Sequence, residues 1–152
     1  MDVQQANPFQ PPQADLQPHV FSSGQPLYRM TAIGIGTFLG TPLAGAWLLA
    51  YNLRQLGKAK HVAMVWSVAL AMLVLTTVLS FVLPEDTLTL PFAILQLLGM
   101  LLLAKQLIQA DLLRHAAAGG AFLSNWRAAG IAILFFLGVT ALLVGVLMLL
   151  FV

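Results

Sequence analysis

Cysteine is absent from all 152 residues. Thiol–disulfide chemistry and a cysteine-borne lipoprotein anchor are therefore excluded, and the redox compartment leaves no trace in the sequence. Charge is nearly as scarce. Asp, Glu, Lys and Arg together make up 8% of the chain, whereas soluble domains carry roughly 25%. With 60% of the residues hydrophobic, too little polar surface exists to cover a core in water, so lipid must be the solvent. A formal charge of +2 is too small for nucleic-acid binding. HExxH, GxSxG, a Walker loop and paired acidic motifs are all missing. Neither enzymatic activity nor a cofactor or metal is expected.

What is present is a set of long apolar runs. Tyr28–Tyr51, Val62–Leu83, Pro91–Ile108 and Ala128–Phe151 (28–51, 62–83, 91–108 and 128–151) each approach the roughly 20 residues that a helix needs to cross a bilayer core. Barrel strands would be about half that length with alternating polarity. The sequence predicts an all-α, polytopic membrane protein with four transmembrane helices in residues 28–152. Residues 1–27, with six Gln and five Pro, show no helical apolar period and read as a disordered tail. No basic segment followed by an apolar one marks a signal peptide. Pro84 and Pro91 bracket the polar turn "PEDTLT". The third helix is expected to continue beyond the bilayer to a stop at Gly119-Gly120, with Ser124 capping the fourth.

Lysine and arginine set the orientation. Arg54, Lys58 and Lys60 follow the first run; Lys105, Arg114 and Arg127 lie near the end of the third or before the fourth. Arg29 alone falls at the other end of a four-span chain. The expectation is a bacterial inner-membrane protein with both termini outside and both basic connections cytoplasmic. Tyr51, Trp66 and Trp126 fall at the cytoplasmic ends of their spans and Trp47 about a turn deeper. Arg54, Lys58, Lys60, Arg114 and Arg127 form a basic collar, whose expected partners are anionic lipid headgroups.

An offset of 54 residues aligns columns 38–63 with 92–117, giving ten identities in 26 columns without a gap. They include Gly45/Gly99, Gln55/Gln109 and His61/His115. Two tandem helical hairpins related by a parallel pseudo-repeat would produce this, as would two segments both rich in Leu and Ala.

Within the first run, Ala32, Gly36, Gly40 and Ala44 recur every fourth residue, a ladder that lets helix backbones approach closely. Pro42 cannot donate to the Phe38 carbonyl, so a kink is expected there, with Thr37 and Thr41 placed to satisfy freed carbonyls. Gly138, Ala141 and Gly145 give the fourth helix a similar smooth face. No carboxylate lies within any run, which argues against a proton-coupled exporter of the small four-helix kind. Gln96 is the one deep amide and is expected to bond a neighbouring helix. Thr76, Thr77 and Ser80 are expected to bond back within their own helix. His61 and His115 lack companion ligands for a metal or haem.

At "IGIGTFLGTPLAGAWLLAYNLRQLGK" and "RHAAAGGAFLSNWRAAGI" the chain resembles a group of small, uncharacterised bacterial integral membrane proteins. They share an FLGxPLAG first helix, an asparagine and LGK at its end, and a later GG…SxW[KR] connection. The resemblance spans roughly residues 30–131 and implies a membrane fold without any activity, cofactor or catalytic residue. The leading expectation is a non-enzymatic helical bundle that assembles with itself or with another membrane protein. A small dimeric transporter or channel, with Pro42, Thr41 and Gln96 along its path, is the alternative. A lipid-directed enzyme using His61 or His115 ranks last.

Overall fold

The computed structural model describes residues 24–84 and 90–151. Among these the fold is all-α. Helix α1 spans Met30–Gly40, α2 Pro42–Gln55, α3 Val62–Val82, α4 Leu90–Ala117 and α5 Asn125–Phe151, with a 3-10 turn at Ala59–His61 before α3. Three helices are long and apolar enough to cross a membrane: α3 with its preceding turn, α4 and α5.

The first apolar run departs from expectation. It is not one kinked span but two short helices folded back on each other. Pro42 has no N–H and a fixed φ, which suits the first position of a new helix, and it pushes the residue before it out of helical geometry. Thr41 accordingly takes φ 118 and ψ 165, a region that a β-branched residue enters only under strain of about 1–3 kcal/mol. Beyond it the chain reverses. The Tyr28 N–H donates to Asn52 Oδ1 and Asn52 Nδ2 donates to the Tyr28 carbonyl, both at 2.8 Å. On one straight helix these residues would stand about 36 Å apart.

Small residues make the reversal feasible. A Cβ on Gly36 would run into Leu48, and one on Gly45 into Thr37, so the two helices lie in backbone-close contact. A Cβ on Gly40 would sit 2.6 Å from Ala132 Cα of α5. The ladder of Ala32, Gly36, Gly40 and Ala44 thus packs closely as expected, but against α2 and α5 of its own chain. Irregular backbone at membrane depth survives only when protein or water covers it. Here α3, α4 and α5 all pack on the hairpin, and Ala32, Ile33, Ala44, Leu48, Leu49 and Leu53 are fully buried.

α1 and α2, at 11 and 14 residues, are about 16 and 21 Å long, short of the ~30 Å hydrocarbon core. Each helix by itself is thus too short to cross, and the two ends of the hairpin, Tyr28 and Asn52, lie together. Three consequences correct the sequence reading. The chain at 24–28 lies at the same end as the 118–124 connection, where Leu27 N–H donates to the Ala121 carbonyl at 3.1 Å and Leu123 N–H to the Leu27 carbonyl at 2.8 Å. Segment 24–28 and the 118–124 connection, expected at opposite ends of the bundle, thus lie together, with the Arg29 guanidinium beside Phe122. The tail boundary at 27 also moves: Leu27 is fully buried, while residues 1–23 lie outside the described residues. Finally, the pseudo-repeat dissolves. Residues 92–117 belong to one continuous helix, whereas 38–63 contain a helix break, a turn and the start of α3.

Other boundaries follow their signals. Gly119, with φ 71, ends α4 in a Schellman-type cap in which the Gly120 N–H reaches the His115 carbonyl at 2.8 Å. Ser124 caps α5, its Oγ accepting the Trp126 N–H at 3.2 Å. The turn "PEDTLT" falls mostly at 85–89, outside the described residues.

Candidate functional site

Polar chemistry concentrates at the neck of the hairpin. Asn52, fully buried, closes it through the paired bonds to Tyr28. The Tyr28 ring meets Trp47 and Tyr51 edge-on at centroid separations of 6.3 and 5.3 Å, and the Tyr51 hydroxyl reaches the Pro26 carbonyl at 3.4 Å. Tyr28 is itself fully buried, and its hydroxyl has no partner among the described residues. Burial pushes the phenol upward, with the Arg127 charge pulling weakly against it.

Next to the neck, the 118–124 connection is pinned twice. His115, 4% exposed, donates from Nε2 to the Ala121 carbonyl at 2.9 Å, and its Nδ1 has no partner among the described residues. The ring stands edge-on to Phe122 at 5.2 Å, and the Arg29 guanidinium lies 4.8 Å from the Phe122 centroid. Such a cation–π contact adds about 0.5–1 kcal/mol at an exposed site. Gly120 is the only residue type that fits beside the imidazole, since a Cβ there would overlap the ring.

The basic collar is less uniform than its sequence implies. Lys58, though partly exposed, is tied down, bonded to Asp111 at 2.5 Å and to the Leu107 carbonyl at 2.8 Å. Arg54, Lys60 and Arg114 are exposed. His61 lies half-buried in the 3-10 turn and His115 is enclosed by the connection, so equal spacing does not give them equal surroundings. Among the described residues no three His, Cys, Asp or Glu side chains gather to hold a metal.

At membrane depth, Gln96 Nε2 donates to Thr76 Oγ1 at 2.8 Å, which ties α4 to α3. Thr76 bonds back to the Met72 and Leu73 carbonyls and Ser80 to Thr77, as the sequence led one to expect. At the hairpin tip the expectation fails. Thr37 bonds the Ile33 carbonyl at 2.9 Å, and buried Thr41 Oγ1 bonds nothing among the described residues. Neither hydroxyl serves the Phe38 carbonyl.

The smooth face of the last helix is open. No Cα of α5 lies within 8 Å of α3 or α4 among the described residues, and α5 rests on the hairpin through Ala128 and Ala132 near its start. Around Gly138 and Gly145 no atom comes within 4 Å of where a Cβ would stand, and Ala141 is exposed. Asp111 and the pairing of Asn52 with Tyr28 escaped the sequence reading, in which the asparagine figured only in the resemblance. The one signal available was a lone amide near the end of an apolar run, with no indication of its partner.

Three helices built to cross a bilayer, wrapped around a buried hairpin, define a membrane-embedded helical bundle. Compared with known proteins, the chain matches no family model, no curated protein and no solved structure.

Proposed function

We propose that the chain is a non-enzymatic integral membrane protein that assembles with a second copy of itself through the outer part of α5. One observation carries this reading. α5 is 27 residues long but is buried only near its start; beyond that Ala141 is exposed, and among the described residues nothing comes within 4 Å of a Cβ placed on Gly138 or Gly145. In lipid, helices associate by close packing of small residues, and these three residues give the exposed part of α5 such a face. The basic end faces the cytoplasm of a bacterial inner membrane, where Arg54, Lys60, Arg114 and Arg127 meet anionic headgroups. Because the chain lacks cysteine, Ala141→Cys introduces a unique thiol. Oxidation in native membranes yields a disulfide-linked species of twice the chain mass, and Gly138→Leu or Gly145→Leu reduces it. A chain that stays single, with a different membrane protein co-purifying in fixed ratio, replaces the second copy by that partner.

The transporter reading keeps one observation in its favour. The hairpin tip at Gly40–Pro42 is a break between two apolar helices, and the Thr41 hydroxyl there has no partner among the described residues; discontinuous helices of this kind hold substrates in many carriers. Solute flux into reconstituted vesicles, lost in Pro42→Ala or Gln96→Leu, would move the assignment to transport.

A further inference from the structure

We draw no further inference here: the strongest candidate, the break between α1 and α2 where the buried Thr41 hydroxyl has no partner among the described residues, belongs to the site already described, and nothing else at that turn points to what would bind there.

Discussion

Replacing Asn52 by alanine should open the hairpin at its neck. The amide makes two bonds of 2.8 Å to the peptide groups flanking Tyr28, and it is fully buried. Truncation leaves one N–H and one C=O without partners, at about 1–3 kcal/mol each, for a sum of roughly 2–6 kcal/mol. Hydrogen bonds between membrane helices average nearer 0.6 kcal/mol, because the unfolded chain in lipid also finds partners. The neck lies at the end of the bundle, where its alternative partner is water, so a value of about 3 kcal/mol is the working figure. That corresponds to roughly a 100-fold rise in the open population, at 1.4 kcal/mol per tenfold. Amide hydrogen exchange reads it directly: the Tyr28 N–H should lose about two decades of protection in Asn52→Ala, while amides in α3 change little. Asn52→Asp keeps an acceptor for the N–H but turns a carboxylate toward the Tyr28 carbonyl, so it should be no better than alanine. A Tyr28 amide equally protected in wild type and Asn52→Ala would refute the clamp.

Three further outcomes are expected. Reporter fusions at residues 25 and 58 should give the same side, cytoplasmic, and a fusion at residue 87 the opposite side; opposite sides at 25 and 58 would restore a single spanning first helix. Gly40→Val drives a side chain into the Ala132 backbone and should lower stability in detergent by about 1–3 kcal/mol, whereas Gly138→Val meets no neighbour among the described residues and should leave thermal unfolding of the monomer unchanged. Tyr28→Phe removes a buried hydroxyl without a partner, so stability at neutral pH should hold or rise slightly. Because the folded phenol is pushed above its ordinary value near 10, the unfolded chain releases that proton first; stability falls as pH climbs through that value, and the phenylalanine variant should fall less.

Much of the architecture was legible because lipid imposes simple demands. Length and apolarity located α3, α4 and α5 to within a few residues, since a crossing helix must be long and continuous. The stop at Gly119 and the cap at Ser124 were readable because each is a local device, complete within one turn of chain. Gln96 was readable for a similar reason: a deep amide needs a partner, and Thr76 supplies it. The basic residues were readable as a set, but their sides were assigned through a count of four crossings, whereas three helices are long and apolar enough to cross.

The error lay at Thr41, and its cause is physical. A Gly-Thr-Pro step inside an apolar run is compatible with a kinked span or with a reversal, and no local rule separates them. What separates them is distant. Asn52 must find the Tyr28 peptide, Gly36 must face Leu48, and Gly40 must leave room for Ala132 of a helix more than 80 residues away in the chain. Each of these residues has a second, sufficient explanation when read alone, as an interfacial amide or as part of a packing ladder. The charge pattern held the decisive constraint. A four-span chain strands Arg29 away from the other six basic residues, whereas a hairpin that folds back brings Arg29 beside the 118–124 connection. In a membrane bundle a single misplaced arginine can therefore test a helix count more sharply than hydropathy does, because hydropathy scores a re-entrant pair and a spanning helix of the same length alike.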